Sequence, residues 1–462
     1  MKLSEFYALL RPRLVEAVGP EPDGGDLPVI RPDSRQVRPG DGFLALPGVS
    51  RHGAEFVGDA LSRGAVLVLT DRLTPADRQL AARTGARVWV CDDPLKAVQE
   101  AARAWRARAS VTVVGVTGSV GKTTTKEAIA AVLAESYRVL KSPGNLNTEV
   151  GLPLTLLYLE PHHQVAVLEM GMYQAGDIRL LCSIARPHVG VVTSVGPSHL
   201  ARLGSLAAIA DAKAELVESL PESGTAVLNA DDPIVSGFGA RTAARAVTFG
   251  WRRPADFRAV GVELRGMLGV DFGVQWGGEA RRLRVGLAGR PGLYAALAAV
   301  AVGRLLGVDW GGVERGLLKV AVDQRLAVRA GAGGRRVIDD SYNSSPVSLA
   351  AALEFLAQLP GRKAAILGDM LELGPIEAEA HREAGRLAAR TVDILVAVGD
   401  RAALMAEAAR DAGLAATYWT GDPVEAAALA RSRTAPGDWI LVKGSRGLRL
   451  ERAVQALVGG EG

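Results

Sequence analysis

A glycine-rich loop between a β-branched run and a helical run is the feature that most restricts how this chain folds. The run 111–116 (VTVVGV) is typical of a buried strand, 117–124 (TGSVGKTT) follows it, and a helical pattern begins near Thr125. In this order the backbone N–H groups of the loop face an anion, Lys122 neutralises phosphate, and the Thr123 hydroxyl is placed to ligate Mg²⁺. We therefore predict a nucleoside triphosphate site formed by Thr117, Gly118, Ser119, Val120, Gly121, Lys122, Thr123 and Thr124.

Alternating strand and helix patterns predict an α/β protein of three domains. Residues 1–110 contain turn-rich segments and short β runs, which indicates a small N-terminal α/β domain. From 111 to 322 the alternation is typical of a parallel sheet covered by helices, and residues 255–286 indicate a small antiparallel side sheet. Residues 323–462 repeat the alternation, so we expect a Rossmann-like domain. The strands predicted in these last two regions are 257–264, 270–276, 283–287, 336–339, 364–367, 394–398 and 439–442.

Composition places the chain among large globular proteins. With 462 residues, 48% of them hydrophobic, it has enough apolar surface for several cores. Its longest uncharged apolar run, 292–303, is shorter than the roughly 20 residues of a membrane helix, and its first residues (MKLSE) lack an apolar signal core. Cys91 and Cys182 are the only cysteines, which fits a reducing compartment. We expect a cytoplasmic protein without integral membrane contact.

Two strand ends beyond the loop supply further candidates, since ligands of parallel sheets bind outside the carboxyl ends of the strands. The run 165–168 ends in Glu169, an acid able to hold Mg²⁺ directly or through water. The run 189–193 ends shortly before His199, for which a metal-ligand role and a structural role both stay open.

The basic residues are mostly arginine, which gives weight to each lysine. Of 54 Lys and Arg residues only nine are lysine, and runs of basic residues do not exceed pairs, so we expect no nucleic-acid partner. Between 206 and 220 the periodicity places Lys213 with the apolar stripe, which includes Leu206, whereas Glu215 falls on the solvent face. A snorkelling or ion-paired lysine is the alternative, but the scarcity of lysine favours a functional role.

Together these residues resemble the Mur ligase superfamily of ATP-dependent amino-acid and peptide ligases. Within it, several stretches are most similar to the members that join D-alanyl-D-alanine to UDP-N-acetylmuramoyl-tripeptide, and the N-terminal stretches resemble the family's uridine-nucleotide-binding domain. The residues that carry the resemblance are 33–35 (DSR), 39–46 (PGDGFLAL), the loop 117–124, 144–153 (GNLNTEVGLP), Glu169, His199, Lys213, 323–325 (DQR), 339–343 (DDSYN), 368–374 (GDMLELG) and 441–447 (LVKGSRG).

The resemblance implies an ADP-forming ligase of peptidoglycan synthesis, and thus a role in cell wall biogenesis, cell shape, cell cycle and cell division. ATP would phosphorylate the terminal carboxylate of the tripeptide, and the amine of D-alanyl-D-alanine would attack the acyl phosphate to give the UDP-MurNAc-pentapeptide. The implied cofactors are ATP, Mg²⁺ and a carbamate formed from CO₂ on Lys213. The implied partners are the two small-molecule substrates, and we expect a monomer.

The resemblance also implies residue roles. Thr123 and Glu169 would hold one Mg²⁺, and His199 and the Lys213 carbamate would take part in metal binding. The implied substrate-binding residues are Ser34, Arg35, Asn145 and Asn147. The implied catalytic residues are Lys122, His199, Lys213, Arg325 near the hinge, Asp340, Asn343, Lys443 and Arg446, with Tyr342 beside them.

The stretch 289–295 (GRPGLYA) departs from the family pattern G-R-H-N-x-x-N, because it lacks the His and both Asn. Two roles are therefore open for Tyr294: an ATP-binding residue whose ring stacks on the purine, or a structural residue.

Three other functions remain open for the chain. It could be another Mur-type ligase that adds a single amino acid, either tripeptide-forming or polyglutamate-type. It could also be a nucleotide-dependent switch, or a scaffold that has lost nucleotide binding. Tripeptide-forming ligases that add diaminopimelate carry a D-N-P-R motif, which this chain lacks. Polyglutamate-type ligases lack the uridine-binding N-terminal domain, whereas this chain has about 110 residues before its phosphate loop.

Overall fold

The computed structural model describes residues 1–48, 50–320 and 326–459. Arg325, predicted near a hinge, lies outside the described residues, as do Asp323 and Gln324. The chain forms two compact units. The first comprises Met1–Val113, Arg138–Met170 and Arg179–Pro187, and the second comprises Val114–Tyr137, Gly171–Ile178 and His188–Gly462. The predicted division at 110 and 322 stays a prediction.

The N-terminal region contains a five-stranded sheet with the order β1-β5-β4-β3-β2. Strands β2 to β5 pair in parallel and β1 pairs antiparallel with β5. Its strands are β1 Leu14–Val18, β2 Ile30–Arg31, β3 Gly42–Leu44, β4 Leu67–Thr70 and β5 Arg87–Cys91, and its helices are α1 Leu3–Leu10, α2 Val57–Ser62, α3 Pro75–Thr84 and α4 Pro94–Arg108. The expected small α/β fold is confirmed.

A second, mostly parallel sheet has nine strands in the order β14-β13-β12-β11-β10-β9-β6-β8-β7. Its strands are β6 Thr112–Thr117, β7 Val139–Lys141, β8 Val165–Glu169, β9 Val189–Val192, β10 Thr225–Asn229, β11 Arg245–Gly250, β12 Phe257–Leu264, β13 Val270–Trp276 and β14 Glu279–Val285. The helices of this region are α5 Lys122–Leu133, α6 Gly151–Leu156, α7 Asp177–Ala185, α8 Leu200–Leu203, α9 Leu206–Glu218, α10 Gly289–Leu305 and α11 Trp310–Leu318.

The predicted antiparallel strands are present, but they extend the edge of the nine-stranded sheet, because β12 pairs in parallel with β11. Strand β14 begins at Glu279, earlier than the expected start at 283. Gly277 and Gly278 both have positive φ and form a two-residue turn, so pairing resumes directly at Trp276 and Glu279.

The C-terminal sheet has six strands in the order β15-β16-β20-β17-β18-β19, with β15 as the single antiparallel strand. Alternate residues of its strands fall into two clusters: Ile338 and Leu367 in one, Val337 and Ile366 in the other. Both faces are therefore covered, as in a doubly wound fold. The elements are β15 Ala327–Ala330, β16 Arg336–Asp340, α12 Pro346–Ala357, β17 Lys363–Gly368, α13 Glu377–Ala389, β18 Ile394–Val398, α14 Ala402–Asp411, β19 Thr417–Thr420, α15 Pro423–Arg433, β20 Trp439–Lys443 and α16 Glu451–Val458.

No helix in the described part of the chain is long and apolar enough to cross a bilayer.

Candidate active site

The predicted phosphate loop connects β6 to α5, which begins at Lys122 rather than near Thr125. Gly118 and Gly121 have φ values of 149° and 88°, a range that L side chains rarely adopt. A Cβ at Gly118 would lie 1.9 Å from Oγ1 of Thr193. The loop therefore requires glycine at this position for both backbone and steric reasons.

The segment after β9 holds the phosphate loop in place. The backbone N–H of Ser119 donates to the carbonyl of Ser194 at 2.8 Å, and that of Val120 donates to the Ser194 hydroxyl at 3.0 Å. The Thr193 hydroxyl donates to the carbonyl of Val120 at 2.6 Å. Sequence reasoning missed Thr193 and Ser194 as loop partners, although their place at the end of the strand next to β6 was a usable signal.

The N-terminus of α5 carries the predicted cation and hydroxyl. Lys122 is half-buried, and its Nζ donates to the carbonyl of Gly118 at 2.8 Å. Thr123 and Thr124 lie in the first turn of α5, a helix of 12 residues. The unpaired N–H groups and the dipole of a helix N-terminus favour an anion at this position. The loop thus lies between a strand and a helix N-terminus, as the sequence predicted, and the binding roles of Lys122 and Thr123 stay predictions.

Lys213 lies on the buried side of α9, as predicted, with 2% of its surface exposed. Burial, and second the positive charge of Lys122, hold the pKa of its ammonium well below the usual value. A lowered pKa shifts the equilibrium of this lysine toward the neutral, nucleophilic amine.

Two other expectations for α9 were wrong. Glu215, predicted on the solvent face, is 4% exposed, because the backbone N–H of Gly176 donates to its Oε1 at 2.7 Å and satisfies the carboxylate. Leu206, predicted in the apolar stripe, is 41% exposed because it is the first residue of the helix, directly after the N-cap Ser205.

His199 lies close to the same charges. Its Nδ1 is 2.5 Å from Oε2 of Glu372, which follows β17 in the C-terminal sheet region. Burial lowers the pKa of its imidazole, Glu372 raises it, and the charges of Lys122 and Lys213 lower it further. Three basic groups therefore act on one another around the phosphate loop, and this arrangement favours a polyanionic ligand.

A second cluster lies at the carboxyl ends of β16 and β20. Asp340 and Lys443 are paired in register, and Nζ of Lys443 donates to Oδ2 of Asp340 at 2.6 Å and to the carbonyl of Asn343 at 2.9 Å. Arg446 donates to the hydroxyl of Tyr342 at 3.1 Å, with its guanidinium over that ring. The structure thus brings together five of the predicted residues in this region.

Glu169 ends β8 in the first compact unit and is 2% exposed. The Asn147 amide donates to its Oε1 at 2.7 Å, and the Glu169 backbone N–H donates to the Ser142 hydroxyl at 3.1 Å. Asn145 is exposed, and its carbonyl accepts from the backbone N–H of Asn147. Asn147, predicted to bind substrate, therefore orients the carboxylate predicted to bind metal.

A cleft in the N-terminal region is rich in arginine. Arg35 is exposed and pairs with Asp33 at 2.8 Å, whereas Ser34 is buried and its hydroxyl hydrogen-bonds Asp59, which lowers the pKa of that carboxyl. Arg31 and Arg38 line the same cleft and were missed by sequence reasoning. The residues that line it are Arg31, Arg35, Gln36, Val37 and Arg38.

Tyr294 lies in α10, and its hydroxyl donates to Oδ2 of Asp231 at 2.8 Å. Burial and then this carboxylate raise the pKa of the phenol. A Cβ at Gly292, the position of the first Asn in the family pattern given above, would lie 2.5 Å from the carbonyl oxygen of Leu287, so close packing accounts for the glycine. Stacking of Tyr294 on a purine stays a prediction.

Within the described ranges, no three or more His, Cys, Asp or Glu side chains come together as metal ligands.

Comparison with known proteins gives consistent matches along the chain. Three family models match: "Mur ligase family, catalytic domain" at 28–106, "Mur ligase middle domain" at 116–303 and "Mur ligase, glutamate ligase domain" at 324–446. A UDP-N-acetylmuramoyl-tripeptide–D-alanyl-D-alanine ligase of Bacillus subtilis is 34% identical over 93% of each chain. The crystal structure of MurF from Acinetobacter baumannii superposes with a TM-score of 0.83 at 28% identity, covering 99% of this chain and 98% of that one. MurF from Thermotoga maritima in complex with ADP gives a TM-score of 0.76 at 30% identity, with 93% and 97% coverage. The chain belongs to the Mur ligase family.

Proposed function

We propose that this chain is an ADP-forming ligase that joins D-alanyl-D-alanine to UDP-N-acetylmuramoyl-tripeptide in peptidoglycan synthesis. The observation that carries the proposal is the set of basic groups around the phosphate loop, Lys122, Lys213 and His199, in a chain that matches ligases of this name over nearly its full length. A relative that binds ADP supports the assignment of ATP to the loop.

The reaction needs an activated carboxylate, because a carboxylate and an amine do not condense in water. A terminal carboxylate oxygen of the tripeptide attacks the γ-phosphorus of ATP, the bond from that phosphorus to the bridging oxygen breaks, and ADP leaves. The dipeptide amine then attacks the acyl carbon and loses a proton, and the C–O bond to phosphate breaks. The loop N–H groups and Lys122 position the phosphates and stabilise the charge that develops on them.

Thr123 and Glu169 are proposed as magnesium ligands, because each carries an oxygen of the hard type that Mg²⁺ prefers, and Mg²⁺ is usually held by one or two carboxylates together with phosphate oxygens. Asn147 fixes the Glu169 carboxylate by a hydrogen bond, which favours an ordered ligand. When bound, Mg²⁺ would offset the negative charge of the phosphates. His199 would take part in a second metal site.

Lys213 is the residue proposed to carry a carbamate. Only a neutral amine adds CO₂, and burial lowers the pKa of Lys213 in that direction. The carbamate would replace an ammonium by two oxygens that accept hydrogen bonds and ligate cations. Arginine does not form this group, which agrees with a lysine at this position in an arginine-rich chain.

The cluster at the ends of β16 and β20 is proposed to act on the nucleotide and the incoming amine. Asp340, Asn343 and Lys443 are fixed by mutual hydrogen bonds, and Arg446 is fixed by Tyr342. Arg325, outside the described residues, completes the proposed catalytic set. These groups position charge rather than form covalent bonds.

On the substrate side, Ser34 and Arg35 are proposed to bind the uridine nucleotide. Arg31 and Arg38 line the same cleft and are proposed to bind its diphosphate. Asn145 and Asn147 would contact the same substrate. An ATP-dependent reaction on a UDP-linked precursor belongs in the cytoplasm, and we propose that the protein acts there as a monomer.

The test supplies ATP, Mg²⁺ and bicarbonate with UDP-MurNAc-tripeptide and D-alanyl-D-alanine, separately and together, and follows phosphate release and product mass. We expect release only with both substrates and a mass gain of one dipeptide on the nucleotide. Addition of a single amino acid instead would establish the rival Mur-type ligase. Phosphate release that ignores both substrates would favour a nucleotide switch, and absence of ATP binding would indicate a scaffold.

A further inference from the structure

We propose that Glu372 is a positioning residue that orients His199 from the C-terminal sheet region, an inference that rests on the proposed role of His199. One carboxylate makes two contacts with the segment around His199. Its Oε2 lies 2.5 Å from Nδ1 of His199, and its Oε1 lies 3.3 Å from Nε of Arg202. The backbone joins the contact as well, since the Ala201 N–H donates to the carbonyl of Glu372 at 3.0 Å.

The loop that carries Glu372 is rigidly held by its own region. The Met370 N–H donates to Nε2 of the buried His381 at 2.9 Å, and the Leu371 N–H donates to the Ser445 hydroxyl at 2.9 Å. The Ser445 N–H in turn donates to the carbonyl of Asp369 at 3.0 Å. Glu372 is therefore presented on a fixed loop, as a group that orients another residue must be.

Both partners of the contact have unusual backbones. His199 has a φ of 59° and Glu372 a φ of 65°, and neither is a glycine. Such conformations persist only where the surroundings fix them, and they concentrate at functional sites. The two segments also approach closely, since a Cβ at Gly374 would lie 3.1 Å from Cα of Ala201.

The contact selects one state of the imidazole. A carboxylate at Nδ1 favours the proton on that nitrogen, which leaves the lone pair of Nε2 for a cation or a polar ligand. Tyr173 packs its ring edge-on against the imidazole with a centroid separation of 5.6 Å, and Arg202 stacks over Tyr173. Ring orientation and tautomer are thus both set by neighbours, and Glu372 is the neighbour that sets the tautomer.

The experiment compares Glu372→Ala, Glu372→Gln and the control Glu379→Ala, an exposed glutamate that pairs with Arg386 on α13. We expect Glu372→Ala to weaken ADP binding measured with Mg²⁺ about 10- to 100-fold, while ADP binding in EDTA and the melting temperature stay close to wild type. Glu372→Gln should be intermediate, because its amide oxygen still accepts from Nδ1–H. Glu379→Ala should match wild type in all three measurements.

A double-mutant cycle separates positioning of His199 from simple docking of the loop. If Glu372 acts through His199, Glu372→Ala has no further effect on Mg²⁺-dependent ADP binding in a His199→Ala background. Equal losses with and without Mg²⁺, or additive effects of the two substitutions, would overturn the proposal. These binding measurements do not require ligase turnover, so failure of the proposed reaction would be seen separately, as a wild-type protein that binds nucleotide but forms no product.

Discussion

The phosphate loop, 117–124, and the loop at 369–374 both follow the carboxyl end of a parallel strand, yet they form their contacts in different ways. The first connects β6 to α5, and backbone N–H groups and one lysine of consecutive residues line it. The second contacts the segment around His199 through one residue, Glu372, whose carboxylate meets a histidine 173 positions earlier in the chain and whose carbonyl accepts from the Ala201 N–H. Consecutive residues thus define the first site, whereas the second depends on how two separate sheets present their loops.

The two loops also differ in the residues that adopt positive φ. Gly118 and Gly121 adopt positive φ without steric cost, whereas Glu372 and His199 adopt it with side chains that must then be held by hydrogen bonds. Glycine thus provides the backbone conformation of the first loop, whereas in the second loop hydrogen bonds to neighbouring residues accompany a conformation that is uncommon for a residue with a side chain.

The largest effect is expected for Lys122→Ala, which removes the cation of the phosphate loop. We expect kcat to fall on the order of 10³-fold or more, because a preorganised charge on the transferring phosphoryl group is lost. The melting temperature should remain near that of wild type, and the exposed Lys96→Ala serves as the matched control. Wild-type turnover by Lys122→Ala would show that Lys122 does not bind the phosphates of ATP during the reaction.

Lys213→Ala should be nearly inactive and partly rescued by acetate, because a small carboxylate restores the two oxygens that the carbamate supplies. Activity is measured with and without added acetate, with chloride at the same ionic strength as the control. Full activity without any additive would refute the carbamate role.

A pair of glycine substitutions compares the two loops directly. Gly118→Ala places a Cβ 1.9 Å from Oγ1 of Thr193, whereas Gly374→Ala places one 3.1 Å from Cα of Ala201. The φ of Gly118, 149°, lies in a region that is nearly restricted to glycine, whereas the φ of Gly374, 57°, lies in the left-handed region that other residues adopt at moderate cost. Backbone strain and steric clash therefore both weigh more heavily on Gly118→Ala. We expect a greater loss of ATP affinity and of unfolding free energy for Gly118→Ala than for Gly374→Ala. A greater loss for Gly374→Ala would contradict the stricter requirement for glycine in the phosphate loop.

The smallest effect is a change in the pH dependence of stability in Lys213→Met, studied in CO₂-free buffer. Burial holds the folded-state pKa of Lys213 below its unfolded value, so between the two values the unfolded chain binds more protons and stability rises with pH. Below the folded pKa the full cost of the buried charge is present, and above the unfolded pKa it is absent. The free energy of unfolding of Lys213→Met should therefore exceed that of wild type most at low pH, and this difference should shrink as the pH rises toward about 10. A gain that does not vary with pH would contradict the buried, neutral amine.

Much of the fold was predictable because its signals are local or periodic. Four strands of the C-terminal sheet, β16, β17, β18 and β20, were predicted within one residue at each end, since strands covered on both faces give continuous apolar runs. The edge strands β15 and β19 were not predicted. The phosphate loop was predictable from eight consecutive residues, and the burial of Lys213 from helical periodicity.

What could not be predicted depends on partners distant in sequence. Glu215 was expected in solvent because its periodicity is polar, but a backbone N–H 39 residues earlier satisfies it inside the protein. Thr193 ends a predicted strand, but that this strand is the neighbour of β6 follows only from the strand order of the sheet. Glu372 was missed because its contact with His199 joins loops of two different sheets. The stretch 368–374 had been recognised as characteristic of the family, but no pattern within it names His199 as its partner.

The most direct test of the central claim is transfer of ¹⁸O from the terminal carboxylate of labelled UDP-MurNAc-tripeptide to phosphate during turnover with D-alanyl-D-alanine. Mass spectrometry of the released phosphate reports the label. An acyl phosphate intermediate predicts one ¹⁸O in the phosphate for each peptide bond formed, because the attacking carboxylate oxygen leaves with phosphorus. Peptide bond formation with unlabelled phosphate would contradict an acyl phosphate, and with it the mechanism assigned to this chain.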